Sequence, residues 1–234
     1  MPKPIDLYYF GSPNSRKITI MLEELGAPYN IVPIQMSRGD TKREDYQALA
    51  PSQKMPVIVD ADGPDGKPIS IFETGAILKY LAQKHGRFYG ANAWERVKVD
   101  EWLFWQVSAF GPLLGQNEHF TDPGREPVPY AVKRFVDETR RLYGVLEGQL
   151  LRQRDKGVEF VAGSGPSIAD FAIFGWARKW KELQMGEDEF PAVYRWRDAI
   201  NARPAVQRAL AITAPKPVPE PGAAIAAHRA LLGV

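Results

Sequence analysis

The 234-residue sequence contains no cysteine. Without a thiol the chain cannot form a disulfide, a thiolate metal site or a redox pair of its own. Any sulfur chemistry would therefore use sulfur atoms that arrive with a ligand. The chain also lacks an apolar run of the ~18 residues that a membrane helix needs, and its start lacks the apolar core of a secretory signal. These absences predict a soluble, cytoplasmic protein that does not associate with membranes.

An excess of charge of either sign is also missing. The 30 Lys and Arg residues nearly balance the 28 Asp and Glu residues, so the net charge is only +2. A balanced chain offers no basic surface to a polyanion, so nucleic acid is not an expected partner. His85, His119 and His228 are far apart and form no metal-ligand spacing, so no metal site is predicted.

Residues 1–86 alternate between strand and helix patterns. β-branched and aromatic runs that end in turn residues predict strands, and apolar residues at helical spacing predict helices. The predicted elements are strands at 5–10 and 29–34, helices at 15–25 and 44–49, strands at 57–59 and 69–72, and a helix at 75–84. This order is that of a thioredoxin-like α/β domain. Pro33 assigns the 29–34 strand to a sheet edge, because proline has no N–H to donate.

Beyond residue 92 the pattern is helical, which predicts a second, all-α domain. The predicted helices are 94–114, 130–151, 168–183, 192–201 and 204–210. Gly111-Pro112 should kink the first of these helices, and the proline-rich tail at 214–221 should form an extended strap over the surface. The predicted domains are 1–86, a linker at 87–92, and 93–234, which would carry the second-substrate site and the tail.

Two features of the helical half are interpreted as structural. Ser167 and Asp170 have the spacing of a capping box before an apolar helix, which favours a structural role over a catalytic Ser and Asp pair. The six tryptophans are predicted to lie mostly in the core.

The Met55-Pro56 pair precedes a strand that is predicted to be buried, where a proline is unusual. A cis peptide bond there would leave the Met55 backbone N–H and C=O facing outward for a peptide-like ligand. An ordinary trans proline is far commoner in general. The thioredoxin-like context favours the cis form.

Glu73 and Thr74 lie at the start of a predicted helix. Thr74 is suited to cap that helix, and the free N–H groups there form an anion site that a carboxylate could occupy. Glu73, just outside the helix, could hold an ammonium group. Together the two residues match the head group of an amino acid, although a plain helix cap beside a solvated acid explains this pattern as well.

Ser12 and Asn14 lie on the turn between the first strand and the first helix. The hydroxyl and the amide can both donate hydrogen bonds beside the positive end of a helix dipole, which stabilises a thiolate. Lowering a thiol pKa by two units requires ~2.7 kcal/mol, and a charge-assisted hydrogen bond supplies ~1.5–3 kcal/mol. A turn with an ordinary cap is the alternative interpretation.

Taken together, these segments resemble the glutathione transferase family, and the resemblance covers nearly the whole chain. The segments that carry it are IDLYYFGSPNSRKITIMLEELG, PSQKMPVIVD and ISIFETGAILKYLAQK, followed by WLFWQ, GPLLGQNEHF and GPSIADF. Within the family, the SPN turn, WLFWQ, GQN and PYAVKRF are most similar to the bacterial nu class, whose relatives include a fungal nitrogen regulator. The resemblance implies a thioredoxin-like domain followed by an all-helical domain, with the active site in the cleft between them.

The resemblance also implies roles for individual residues. Ser12 and Asn14 would donate to the glutathione sulfur, with Asn14 the more diagnostic of the two. Lys54 would hold the glycyl carboxylate. The backbone of Met55, before cis-Pro56, would pair with the cysteinyl unit.

Further roles concern the two ends of the tripeptide and a second molecule. Glu73 and Thr74 would bind the γ-glutamyl head group. Thr41 stands where the class often has a larger amide that contacts a carboxylate. Arg134 matches a position near a second glutathione, although a solvated helix residue fits that position equally. Ser15 replaces the glycine that usually ends the turn.

The implied function is glutathione-dependent disulfide reduction by a homodimer. Glutathione would serve as the cosubstrate, as one or two molecules or in its oxidised form, and its thiolate would attack a small-molecule disulfide or electrophile. One alternative is a conjugating or peroxidase glutathione transferase. Another is a glutathione-binding regulatory protein without turnover.

Overall fold

The computed structural model describes residues 3–179, 183–213 and 222–233. The chain divides into two compact units. One contains the described residues up to His85 together with those from Pro204 onward, and the other runs from Gly86 to Arg203. In the part of the chain that is described, no helix has both the length and the apolar character needed to cross a membrane. The domain boundaries expected from the sequence stay a prediction.

The first unit is built on a four-stranded mixed sheet in the order β2-β1-β3-β4. The strands are β1 (Ile5–Tyr9), β2 (Tyr29–Pro33), β3 (Val57–Asp60) and β4 (Ile69–Phe72). β1 is parallel to β2 and antiparallel to β3, which is antiparallel to β4. The predicted thioredoxin-like order is confirmed, and β2 occupies an edge as Pro33 indicated.

Three helices belong to the same sequence region, namely α1 (Pro13–Leu25), α2 (Glu44–Leu49) and α3 (Thr74–His85). α1 starts where the Ser12 side chain caps it and Pro13 takes a first-turn position, at which a missing N–H costs no helical bond. It ends at Gly26, whose φ of 65° lies in the left-handed region that favours glycine.

Two later helices complete this unit. α9 (Pro204–Ala211) packs on α1, where Arg16 Nη1 donates to the Ala209 carbonyl at 2.7 Å. α10 (Gly222–Leu232) packs on α2, and its Ile225 is buried in a core cluster with Tyr8 and Tyr46. The predicted strap at 214–221 lies outside the described residues.

A largely buried hydrogen-bond network connects α10 to β1. Nδ1 of His228 is 2.5 Å from the Tyr8 hydroxyl, and Nε2 is 2.6 Å from Asp6 Oδ2. Burial favours a raised pKa for the Asp6 carboxyl, but hydrogen bonds from His228 and Asn30 outweigh it and hold that pKa below its usual value. The network therefore stabilises the ionised carboxylate.

The second unit is helical. Its helices are α4 (Ala93–Trp105), α5 (Gly111–Thr121), α6 (Pro129–Arg154), α7 (Ile168–Ala177) and α8 (Pro191–Asn201). The predicted helix at 94–114 is interrupted by a π-helical turn at Gln106–Phe110, directly before Gly111-Pro112, and the kink expected there stays a prediction. Pro112 lies in the first turn of α5, where it is tolerated. A Cβ on Gly111 would lie 2.6 Å from Gln106 Nε2, so a larger residue there would displace the end of the Gln106 side chain.

The bounds of α7 and the exposure of the tryptophans can be compared with their predictions. The capping box at the start of α7 is confirmed, because Asp170 Oδ2 accepts the Ser167 backbone N–H at 2.9 Å and its hydroxyl at 2.8 Å. α7 ends at Ala177, earlier than the predicted 183. The prediction that the tryptophans lie mostly in the core was wrong for α4, where Trp94 is 65% exposed. Trp102 and Trp105 on the same helix are only partly buried.

Candidate functional site

The sheet brings four chain segments of the first unit to one end. Tyr8 pairs with Val57, Val57 pairs with Phe72, and Tyr9 pairs with Pro33. The carboxyl ends of β1, β2 and β4 and the start of β3 therefore lie together. The predicted site residues on the segments that enter or leave this end are Ser12, Asn14, Thr41, Lys54, Met55, Pro56, Glu73 and Thr74. Arg134 belongs to the other unit.

The first of these segments forms the start of α1. The Ser12 hydroxyl accepts the Ser15 backbone N–H and donates to Ser15 Oγ, both at 3.2 Å. Asn14 is the second residue of the helix and is partly buried. Ser15, which replaces the usual glycine of the turn, is a buried helical residue. The donor roles of Ser12 and Asn14 stay predictions, and the structure shows Ser12 engaged as the cap.

The second segment precedes β3. The Met55–Pro56 peptide bond is cis, as the thioredoxin-like context predicted. The Tyr46 hydroxyl of α2 donates to the Lys54 carbonyl at 2.9 Å, which fixes the chain just before this bond. The Lys54 side chain is exposed. No sequence pattern indicates that the Tyr46 hydroxyl contacts the Lys54 carbonyl, so this contact was not predicted.

The third segment connects β4 to α3. Glu73 is exposed and has a φ of 70°, a left-handed conformation that costs ~1–2 kcal/mol for a residue other than glycine. Its carbonyl accepts the Ile77 N–H at 2.9 Å, the first i to i+4 bond of α3. Glu73 therefore takes the capping position expected for Thr74, which is the first helical residue. Backbone strain of this kind is concentrated at functional sites.

A lysine that sequence reasoning missed lies behind this segment. Lys17 of α1 is 2% exposed, and its Nζ is 3.4 Å from Thr74 Oγ1. Burial lowers the pKa of Lys17 to about 7, while the Glu73 carboxylate acts in the opposite direction. The burial of Lys17 could have been inferred from its position, because it lies four residues before the buried Met21 and therefore on the same face of the helix.

Thr41 follows β2, in a single 3₁₀ turn at Asp40–Lys42. Its side chain is buried, and the turn is held by Asp40 Oδ2, which accepts the Gln35 N–H at 2.8 Å. Its predicted contact with a ligand carboxylate stays a prediction.

Arg134 lies on α6, beside a cavity of about 650 Å³ in the second unit. The cavity is lined by Leu113, Tyr130 and Phe135 and by the charged residues Lys133, Arg134, Asp137, Glu138 and Arg141. Lys133 is paired with Asp137 at 2.5 Å and Arg141 with Glu138 at 2.7 Å. Within the described ranges, no carboxylate lies at ion-pair distance from Arg134. Its guanidinium group can therefore accept an anionic ligand.

Comparisons with known proteins show the family to which the chain belongs. The model of the glutathione S-transferase N-terminal domain matches residues 11–84, and that of the C-terminal domain matches residues 124–204. The disulfide-bond oxidoreductase YfcG of Escherichia coli is 41% identical over 209 residues, covering 88% of this chain and 94% of YfcG. The chain belongs to the glutathione transferase family.

Solved glutathione transferases share the fold of this family member. One from Pseudomonas putida, with one glutathione disulfide bound per subunit, has a TM-score of 0.83 and 36% identity, covering 90% of this chain and 92% of that one. One from Pseudomonas fluorescens, with two glutathione molecules bound, has a TM-score of 0.83 and 37% identity, covering 91% and 95%. The predicted fold class, a thioredoxin-like domain followed by helices, is confirmed.

Proposed function

We propose that this glutathione transferase is a nu-class, glutathione-dependent disulfide-bond oxidoreductase. The observation that carries the proposal is the convergence of the segments at 12–14, 54–56 and 73–74 on one end of the sheet. The similarity to YfcG and to transferases holding glutathione or its disulfide supports the same chemistry. A chain without cysteine needs such a ligand to supply its sulfur nucleophile.

Each segment receives one part of the tripeptide. Glu73 and Thr74, at the start of α3, take the ammonium and carboxylate of the γ-glutamyl group, because a helix start favours an anion and a carboxylate favours a cation. The Met55 backbone pairs with the cysteinyl unit. The exposed Lys54 and the buried Thr41 serve the glycyl end.

The sulfur atom lies at the start of α1. Asn14 is the side-chain donor there, since the Ser12 hydroxyl hydrogen is directed to Ser15 Oγ, and the helix dipole contributes ~0.3–1 kcal/mol to the stability of the thiolate. One charge-assisted hydrogen bond adds ~1.5–3 kcal/mol. Together these contributions lower the thiol pKa by ~1–3 units, enough to ionise it at neutral pH.

The reaction proceeds in two exchanges. The bound thiolate attacks one sulfur of the disulfide, which forms a mixed disulfide and releases the other half as a thiolate that takes up a proton. A second glutathione thiolate then attacks the mixed disulfide, so glutathione disulfide forms and the second substrate thiol leaves. Two electrons pass from two glutathiones to one disulfide. Arg134 binds a carboxylate of the second glutathione.

Side-by-side rates test this function. We expect turnover of 2-hydroxyethyl disulfide, measured by coupling glutathione disulfide to glutathione reductase, to exceed turnover of chlorodinitrobenzene and cumene hydroperoxide. Negligible disulfide turnover with rapid conjugation or peroxide reduction would instead assign a conjugating or peroxidase enzyme. Tight glutathione binding with no turnover of any of the three would assign a regulatory protein.

We further propose that the enzyme is a cytoplasmic homodimer. Trp94, Val97 and Phe104 of α4 are 65%, 58% and 59% exposed, and such an apolar face favours association. The reduced glutathione pool of the cytoplasm would keep the cosubstrate supplied. Light scattering should give twice the chain mass of 26.2 kDa. A monomer at micromolar concentration would contradict the dimer.

A further inference from the structure

Lys17 is a buried lysine behind the proposed γ-glutamyl site. It lies one turn into α1, is 2% exposed, and directs its Nζ to the Thr74 hydroxyl oxygen at 3.4 Å. Thr74 is itself buried and begins α3, directly after Glu73. α1 and α3 pack against each other at this point. The amine therefore contacts the hydroxyl at the start of α3, and the neighbouring Glu73 carboxylate acts on the amine electrostatically.

Lysines are almost never fully buried, because the ammonium group loses its hydration. Burial in this cluster lowers the pKa of Lys17 to about 7, so the charged and neutral forms coexist at neutral pH. An anion nearby favours the charged form, as the Glu73 carboxylate already does. A ligand carboxylate at Thr74 would add to that effect.

We propose that Lys17 is a positioning residue for the γ-glutamyl carboxylate. Its ammonium group holds the Thr74 hydroxyl oxygen, so that the hydroxyl hydrogen points to the ligand, and it balances the charge of the bound carboxylate. Glutathione binding therefore takes up a proton at Lys17. This inference rests on the proposed function, because it requires the γ-glutamyl group to bind at Glu73 and Thr74.

The charged group that acts on the Lys17 pKa is Glu73. α1 packs against α3 and α9, and Glu73 at the start of α3 is the charge that raises the Lys17 pKa. Other charged contacts on these helices are those of Arg208 with Glu23, Lys84 with Asp60, and Arg16 over the Tyr9 ring, and Glu24, Lys79 and His85 also make contacts. Arg208, Lys84 and Arg16 are each engaged with the partner named.

The direction of the effect follows from linkage. At about pH 7 roughly half of the free protein carries a neutral Lys17, so binding takes up about half a proton. If the ligand raises the Lys17 pKa by ~1–2 units, affinity falls on the order of fivefold to tenfold between about pH 6 and pH 8. Near pH 5.5 Lys17 is already charged and the uptake falls to about zero.

Calorimetry with S-methylglutathione measures this uptake, because that ligand has no thiol to ionise. Binding enthalpies in buffers of different ionisation enthalpy give the number of protons taken up. The wild type should take up about half a proton near pH 7 and about none near pH 5.5. Binding without this uptake overturns the role of Lys17 and leaves the proposed function standing. No binding at millimolar ligand overturns both.

Lys17→Met keeps the packing and removes the charge. This variant should bind S-methylglutathione with no lysine-dependent uptake and with an affinity that no longer falls between about pH 6 and pH 8. Lys67→Met, at an exposed lysine of the β3–β4 turn, is the matched control and should behave as the wild type. If Lys17→Met keeps the wild-type uptake, the inference is wrong. If the variant does not fold, the pH dependence of uptake by the wild type decides the question.

Discussion

The start of α1 allows the two predicted sulfur ligands to be separated experimentally. The Ser12 hydroxyl has one hydrogen, and in the structure that hydrogen points to Ser15 Oγ while the oxygen accepts the Ser15 N–H. Donation to a thiolate would require the hydroxyl to turn away from Ser15. The Asn14 amide carries two N–H donors. We therefore expect Ser12→Ala to affect mainly stability and Asn14→Ala to affect mainly catalysis.

The expected magnitudes differ enough to be measured. Loss of an N-cap hydroxyl costs ~0.5–2 kcal/mol, so Ser12→Ala should lower the Tm by roughly 1–8 °C in a chain of this size. Loss of a charge-assisted hydrogen bond of ~1.5–3 kcal/mol should lower disulfide turnover by Asn14→Ala about tenfold to a hundredfold. The same loss should raise the pKa of the bound thiol by ~1–2 units.

The assay combines thermal unfolding, kcat/KM for 2-hydroxyethyl disulfide, and the absorbance of bound thiolate as a function of pH. Ser15→Ala is the matched control, because it removes the acceptor that holds the Ser12 hydrogen. Faster turnover in Ser15→Ala, together with an unchanged rate in Asn14→Ala, would show that Ser12 is the donor to the thiolate and would contradict the role expected for Asn14. Unchanged thiol titration in all three variants would remove both residues from the mechanism.

Two further predictions concern residues away from this turn. Arg134→Ala should raise the KM for glutathione in the second exchange about tenfold, because one charged contact is lost, whereas Arg140→Ala, whose side chain pairs with Glu189, should not. Equal effects of the two variants would contradict the role of Arg134. His228→Ala should lower the free energy of unfolding by ~1–3 kcal/mol near neutral pH. His228 holds the pKa of Asp6 below its unfolded value, so the stability that this pair contributes is present above the unfolded pKa of Asp6 and is lost in acid. The difference in unfolding free energy between variant and wild type, measured by urea titration, should therefore shrink as pH falls.

Local patterns made most of the first unit predictable. The 44–49 helix and the 69–72 strand have the predicted bounds, because their periodicity and flanking turn residues agree. Strand pairing then brings together the ends of β1, β2 and β4, from which the segments of the proposed site extend. The Ser167 capping box was equally local and equally predictable.

Contacts between residues far apart in sequence were not predictable. The bond between Tyr8 and His228 spans 220 positions, and nothing in the sequence identifies Tyr8 as the partner of His228. Lys17 lies on the buried face of α1, although lysine side chains are almost always exposed, so its burial could not be predicted from residue type. The π-helical turn at Gln106–Phe110 keeps the apolar spacing of a helix, so the helix pattern alone could not place it.

The discontinuous first unit has a consequence for protein synthesis. Ile225 closes a core that otherwise consists of residues made much earlier, among them Tyr8, Tyr46 and Val57. The ribosome must translate the whole of 86–203 before α9 and α10 can dock. A nascent chain at that stage still exposes the apolar side chains that Ile225 will cover, and exposed apolar surface of this kind favours aggregation.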